Sequence, residues 1–326
     1  MTATPAQKES WVALCGGIGG AKLALGLSHV LQPDQLTIVV NTGDDFEHLG
    51  FHVSPDIDTV IYTLAGLSNQ QLGWGLDGET WAFMDAIERL GGPSWFRLGD
   101  RDIATHAMRT TMLREGQSLS EVTRYLARQQ GVGPAIVPMS DDCVATVVDT
   151  AEGRLAFQTY FVGRRCEPPI TGIHFSGAEH ATPAPSAIAA LSNPSLAGVI
   201  ICPSNPWLSL DPMLAIPGWR KLLDACAAPI VAVTPLIGGQ AVKGPTAKIM
   251  GELGLPLDVQ SIVSHYAGLI DGFIIDTVDR ERASTLDIRA HVTNTLMRSL
   301  DDRVALARET LGFCRQIGAR TPERHA

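Results

Sequence analysis

The stretch Leu36-Thr-Ile-Val-Val-Asn-Thr-Gly-Asp-Asp45, followed after a short glycine- and histidine-containing link by Ser54-Pro-Asp-Ile-Asp58, joins a buried-strand pattern to four carboxylates. Thr37 to Val40 are β-branched at consecutive positions, as in a strand covered on both faces of a parallel sheet. Asn41-Thr-Gly breaks that run. Ser54 reads as a helix N-cap and Pro55 as the first helical residue, so Asp56, Asp58 and Thr59 fall in the first turn of a helix that continues through Val60, Ile61 and Leu64. The helix dipole favours carboxylates there. Two acidic clusters at one sheet edge suit a hard divalent cation, which takes oxygen ligands and bridges to phosphates. Solvated loop and cap carboxylates are the competing reading.

Upstream, Trp11-Val-Ala-Leu-Cys15 meets Gly16-Gly-Ile-Gly-Gly20 and then Ala21-Lys-Leu-Ala-Leu-Gly-Leu27, the order of a strand, a glycine-rich turn and a helix. Such a turn can bring backbone amides against a phosphate, with Lys22 adding positive charge. The dinucleotide fingerprint would need glycine at position 22 and the Walker A pattern Gly-Lys-Ser/Thr, and neither is met. A tight packing turn without a ligand therefore stays open.

Downstream, a helix runs to about Leu67 and another spans Asp77 to Leu90, with Trp81, Met84 and Ile87 on one face as expected core. Leu98-Gly-Asp-Arg-Asp-Ile-Ala-Thr-His106 is a charged turn opening a helix; Arg101 either clamps a phosphate or carboxylate or pairs with Asp100 or Asp102 at the surface. Ser118-Leu-Ser-Glu121 matches a capping box. Ala135-Ile-Val-Pro-Met-Ser-Asp-Asp142, Gly198-Val-Ile-Ile-Cys202 with Pro203-Ser-Asn-Pro206, and Pro229 to Thr234 each repeat the theme of an apolar strand ending in a polar turn. Val144 to Val148 and Leu155 to Phe161 alternate about Glu152-Gly153, which predicts an antiparallel hairpin added to the main sheet. Residues 163–185 read as an irregular flap, with His174 and His180 as surface residues. Val242 to Lys248 should open a helix where Lys243 and Lys248 either hold an anion or are solvated. Residues 261–263, 272–275 and 287–292 look like strands, Asp301 to Ile317 like a closing helix, and residues 1–9 and 318–326 like mobile ends.

A chain of 326 residues with 45% hydrophobic content supports a substantial core, and without repeats or a long linker it reads as a single domain, residues 1–326, carrying a hairpin and flap-like insertion at 144–185. The net charge of −9 and the lack of a basic stripe argue against a nucleic-acid partner. Six cysteines without Cys-x-x-Cys spacing read as reduced core residues. Neither an export signal nor a membrane span is apparent, so the expected location is cytoplasmic. The expected fold is α/β: a Rossmann-like three-layer α/β/α arrangement on a mostly parallel sheet, with the hairpin insertion beside it. Its ligand site should lie along the strand C-termini and gather residues 16–22, 41–45, Asp56, Asp58, Arg101, residues 140–142, Ser204, Asn205 and Lys243. That mixture suits a metal and a diphosphate better than hydride transfer, and no Gly-x-Ser-x-Gly elbow points to a hydrolase.

Gly16-Gly-Ile-Gly-Gly-Ala-Lys22, Asn41-Thr-Gly-Asp-Asp45, Ser54-Pro-Asp-Ile-Asp-Thr59, Leu98 to His106, Pro138-Met-Ser-Asp-Asp142, Pro203-Ser-Asn-Pro206 and the Thr234-Pro-Leu-Ile turn, in that order, resemble the 2-phospho-L-lactate transferase family (CofD, called FbiA in actinobacteria) from about residue 11 to 315. The resemblance implies a step in the biosynthesis of the deazaflavin coenzyme F420. A phosphorylated small acid would pass from a guanosine diphosphate ester to the terminal ribityl hydroxyl of the deazaflavin Fo, with release of GMP and help from Mg²⁺. It implies catalytic roles for Asp44, Asp56 and Asp58, with Asp44 and Asp56 as metal-linked carboxylates. Asn41, Asp45, Arg101, Met139 and Ser140 would lie near Fo or the transferred phosphate, and Gly16, Gly17, Gly19, Lys22, Ser204, Asn205 and Lys243 on the nucleotide side. It also implies a homodimer. Phospholactate, phosphoenolpyruvate and a phosphoglycerate donor all stay open, and a nicotinamide-dependent oxidoreductase or a non-catalytic guanine-nucleotide-binding regulator are the alternatives from other classes.

Overall fold

Seven apolar runs build one sheet in the computed structural model, which describes residues 8–320 apart from 72, 242 and 243. They are β1 (Ser10–Cys15), β2 (Leu36–Val40), β3 (Ala135–Pro138), β4 (Leu196–Ile201), β5 (Ile230–Val233), β6 (Gly272–Asp276) and β7 (Ala290–Thr293). Their order across the sheet is β3-β2-β1-β4-β5-β6-β7, and every pairing is parallel. In β1, Trp11, Ala13 and Cys15 join one buried cluster while Val12 and Leu14 join the other. Both faces are therefore covered, which is why these strands lack a polar alternation.

One face is covered by α1 (Gly17–Val30), α2 (Pro55–Leu64), α3 (Asp100–Arg114), α4 (Leu119–Gln129) and α5 (Leu300–Ile317), which contribute residues such as Leu23, Ile57, Met112, Val122 and Leu311 to one cluster. The other face carries the shorter helices at Pro185–Leu191, Trp219–Asp224, Thr246–Glu252 and Val259–His265. The expected three-layer arrangement holds. Because β2 and β4 flank β1 on opposite sides, the strand order reverses direction there, and the C-terminal ends of β1 and β4 open a crevice of the kind that holds ligands in doubly wound sheets.

Several local expectations need correction. The hairpin of Ala145–Thr150 and Gly153–Ala156 does not extend the main sheet; it forms its own three-stranded antiparallel sheet with Ile170–Ser176, a strand inside the stretch read as an irregular flap. Ile173 and Phe175 alternate with exposed His174 and Ser176, a period that Gly172 interrupts. His174 pairs with Asp149 across this sheet at 2.5 Å, and His180 is exposed. Residues 261–263 are helical rather than extended, because Asp258 caps the helix Val259–His265 by accepting from the Ser261 amide at 2.8 Å. The helix expected from Asp77 starts only at Ala82. Of the ends expected to be mobile, residues 1–7 and 321–326 lie outside the described residues; beside them Glu9 pairs with Arg315, and Arg320 with Asp271. Of the cysteines, Cys15, Cys202, Cys226 and Cys314 are buried as expected, whereas Cys143 is exposed and Cys166 half-buried. No helix among the described residues is long and apolar enough to cross a membrane.

The approach of α1 to α5 is set by Gly26, where an added Cβ would lie 2.1 Å from the Arg303 carbonyl oxygen. Alanine is favoured over glycine within a helix by about 1 kcal/mol, yet backbone cannot yield as a side chain does. Gly26→Ala is expected to lower the unfolding free energy by about 1–3 kcal/mol in urea titration; a neutral or stabilising change would contradict this packing.

Candidate functional site

A cleft of about 930 Å³ opens at the strand C-termini, at the upper end of the range for small-molecule sites. Its floor comes from the turns that follow four strands of the sheet. Gly17, Ile18, Gly19 and Lys22 follow β1; Asp44 follows β2; Pro203, Ser204 and Asn205 follow β4; Thr234 and Pro235 follow β5. Asp56 and Asp58 reach it from the start of α2.

Each carboxylate is held differently. Asp56 accepts from the Asn41 side-chain amide at 3.0 Å and lies beside the Gly17 backbone amide, while Asn41 in turn accepts from the Gly43 amide at 2.9 Å. Burial pushes the Asp56 carboxyl up to about 6 against the pull of those two donors. Burial, then the neighbouring Asp56 and Asp45 carboxylates, drive Asp44 well above the ordinary range. Burial raises Asp45 as well, against hydrogen bonds from His52 at 3.1 Å and Ser54 at 2.7 Å. Ser54 stands at the helix N-cap as expected, but its hydroxyl serves Asp45 rather than its own helix.

Asp58 points elsewhere. Two residues along a helix of 3.6 residues per turn is a rotation of about 200°, so Asp56 faces the glycine turn while Asp58 faces α3. There the Arg109 guanidinium, fully buried, grips both Asp58 oxygens, one of them at 3.0 Å. His106 and Asp102 stand beside it, and Tyr62 donates to Asp102 Oδ1 at 2.5 Å. Burial opposes ionisation of Asp102, but His106, Tyr62 and Arg109 together hold its carboxyl below the usual range.

Two places could receive a cation. Asp58, Asp102 and His106 bring ligand atoms within 4.8 Å of one another, but a cation there would face the guanidinium that already neutralises Asp58. Around Asp44, one oxygen of Asp44 and one of Asp45 are buried without a hydrogen-bond partner; burial pushes both carboxyls toward protonation, and the Asp56 and Asp45 carboxylates push Asp44 further. That donor set fits a hard divalent ion, whose charge would offset the repulsion.

The glycine turn is only partly free for an anion. Ser204 accepts from the Gly16 amide at 3.1 Å, and the Asp56 carboxylate lies beside Gly17. A Cβ at Gly16 would lie 2.1 Å from Ser209 Oγ, and one at Gly19 would lie 2.1 Å from the Pro203 carbonyl. Close packing against the turn after β4 thus explains two of the glycines. The amides of Ile18 and Gly19, at the start of α1, remain for a phosphate. Opposite them, Asn205 caps the turn at Trp207 through its carbonyl, and its buried Nδ2 has no partner.

Not every residue singled out in the sequence arrives at the cleft. Gly16, Asn41 and Asp45 lie directly behind its wall. Met139 is fully buried in the core; Ser140 is buried too, its hydroxyl donating to the Thr182 carbonyl at 2.6 Å. Arg101 projects from the first turn of α3 to the Asp77 carbonyl at 2.6 Å, away from the lining. Lys243 lies outside the described residues. Conversely, Trp81, expected in the core, lines the cleft together with Trp74, Trp95, Phe96, Phe157 and Phe161. Arg97, half-exposed over the Trp81 ring at 5.4 Å and paired with Asp85, is a cleft cation the sequence did not single out. His106 and Arg109 carried an i, i+3 signal on one helix face, but only the fold shows what they meet.

Fold and cleft define a doubly wound α/β protein with a nucleotide-scale site at its switch point. Residues 11–307 match the family model described as 2-phospho-L-lactate transferase CofD, and the chain belongs to that family, whose members are transferases of coenzyme F420 biosynthesis. It is 38% identical to a phosphoenolpyruvate transferase of Streptomyces avermitilis over 95% of this chain and 99% of that one. It is also 38% identical to a 2-phospho-L-lactate transferase of Methanopyrus kandleri (93% and 97% covered) and 35% identical to one of Methanosarcina mazei (91% and 97%). The fold is shared with a crystal structure of a UPF0052 family member from Bacillus halodurans, with a TM-score of 0.61 at 13% identity over 94% of this chain and 99% of that one.

Removing the Arg109 side chain strands the Asp58 charge in the interior. Arg109→Met is expected to cost about 3–5 kcal/mol in denaturant unfolding, with much of the loss regained in the Arg109→Met, Asp58→Asn double variant. Equal losses in the single and double variants would contradict the pairing.

Proposed function

We propose that the chain transfers a phosphorylated small acid from a guanosine diphosphate ester to the terminal ribityl hydroxyl of Fo and releases GMP. The observation that carries this reading is the acidic pair Asp44 and Asp56 in one cleft with an amide-rich glycine turn and a set of aromatic side chains. Amide and hydroxyl donors at Ile18, Gly19, Ser204 and Asn205 suit the guanosine diphosphate part. The indole and phenyl rings suit a planar deazaflavin, which gains from apolar burial and ring stacking.

In the reaction the ribityl oxygen forms a bond to the phosphorus that carries the small acid. The bridging oxygen–phosphorus bond breaks, and GMP leaves with the electron pair. Asp44 and Asp56 would hold Mg²⁺, which when bound supplies charge neutralisation on the diphosphate. Asp56 would also orient the hydroxyl and take its proton. Asn41 and the Gly17 amide keep Asp56 in that orientation. Asp45 buttresses the same wall, and Asp58 acts through Arg109 rather than on the substrates. Arg97 and Lys22, both lining the cleft, are the side chains best suited to the acid's carboxylate and the phosphates.

The small acid is phosphoenolpyruvate, 2-phospholactate or a phosphoglycerate. Equal 38% identity to relatives named for the first two does not separate them. Incubating the chain with Fo, Mg²⁺ and the candidate guanosine diphosphate-linked acids in competition should yield GMP and a single dominant phosphodiester of Fo by mass spectrometry; consumption of none of them would overturn the reading. Asp56→Asn should lower turnover by about two to three orders of magnitude, the scale seen when a group stabilising transition-state charge is lost, while circular dichroism remains native. Near-normal turnover would remove Asp56 from its role. The assembly is expected to be a homodimer, so light scattering should give twice the chain mass of 34.8 kDa.

A further inference from the structure

Besides the acidic pair, the cleft is lined from α3 by a second polar group that the transfer chemistry does not use. His106 is 1% exposed, and its Nδ1 lies 3.2 Å from Arg109 Nη1 and 3.6 Å from Asp58 Oδ2. A guanidinium has only donors to offer. The nearer partner of Nδ1 is therefore a donor, which makes Nδ1 the acceptor and places the ring proton on Nε2. That Nε2 is buried and makes no hydrogen bond, although Asp102 Oδ2 stands 3.4 Å away. Asp102 Oδ1 is already occupied by the Tyr62 hydroxyl at 2.5 Å, which leaves Oδ2 as an acceptor. His106 and Asp102 both line the cleft, as do Tyr62, Trp74 and Trp81, and the two indoles meet edge to face with centroids 6.3 Å apart.

A fixed donor beside a fixed acceptor at the end of an aromatic-walled space matches a planar heterocycle whose edge carries a ring carbonyl next to a ring N–H. We propose that His106 Nε2–H and Asp102 Oδ2 read such a lactam edge, the carbonyl accepting from His106 and the ring N–H donating to Asp102. Arg109 is the positioning residue that fixes the His106 tautomer, and Asp58 anchors Arg109. The inference rests on the proposed substrates, both of which carry this edge: the guanine base of the donor and the pyrimidine ring of Fo. A site built around such a pair discriminates against a ligand that cannot complete it, because its own buried groups are then left unpaired.

The test is calorimetric titration of the full chain with GMP and with Fo, each compared with its analogue methylated at the ring N–H. One of the two rings should lose at least about tenfold in affinity on methylation, and the identity of that ring assigns the subsite. In Asp102→Asn the parent and methylated forms of that ring should bind within twofold of each other. Should Asp102→Asn fail to fold, the wild-type comparison needs no variant, and His106→Gln, which keeps the Asp102 acceptor, should weaken the parent and methylated forms alike. Parent and methylated forms binding equally well for both rings overturns the inference and leaves the transferase reading intact, as does a methylation penalty that persists in Asp102→Asn. Binding of neither parent ring overturns the transferase reading and this inference together.

Discussion

Two carboxylates brought together out of water, Asp44 and Asp56, are the constraint around which the site is arranged. Burial raises the cost of ionising both; the Asp56 and Asp45 carboxylates add to it at Asp44, and Asp45 adds to it at Asp56. Local hydrogen bonds go only part of the way toward offsetting this: Asn41 and the Gly17 amide serve Asp56, while one oxygen of Asp44 stays unpaired. A protein that needed only stability would place apolar side chains there. The arrangement makes sense when positive charge arrives with the ligand, as the proposed phosphate-bound divalent ion would bring it.

The same segment explains why the cleft has two polar ends. Helix α2 begins at the mouth of the crevice, and its first turn carries acids on opposite sides. Asp56 meets the glycine turn of α1, and Asp58 meets Arg109 of α3. One short helix start thereby ties the phosphate side of the site to the region where Tyr62, Asp102 and His106 converge. The packing of α1 supports this, since Gly16 and Gly19 let the helix start press against Ser209 and Pro203 closely enough for the Gly17 amide to reach Asp56.

The sheet was legible because consecutive β-branched residues at Thr37–Val40, and comparable runs at Trp11–Cys15 and Gly198–Cys202, have no other stable environment than a strand buried on both faces. Ser54-Pro55 marked the start of α2 for a reason equally local, the preference of proline for the first helical position. What could not be read was anything decided by a partner distant in sequence. Asp58 looked like a sibling of Asp56 until α3 supplied Arg109. Ser140 and Met139 follow a strand just as Asn41 does, yet the turn after β3 folds into the core beneath Thr182 and Trp219. Trp81 had the spacing of a core residue, but its helix packs onto the small hairpin Phe46–His48 and Phe51–Val53, leaving the indole at the cleft. Family membership fixes the transferase class; the division of labour among the acids comes from geometry.

The most direct measurement is anomalous diffraction from crystals grown with Mn²⁺ in place of Mg²⁺ and a guanosine diphosphate ligand. The account predicts a metal peak within coordination distance of Asp44 and Asp56, with Asp58 still gripped by Arg109. A peak at Asp58, Asp102 and His106 instead, or none in a cleft with nucleotide bound, would contradict it.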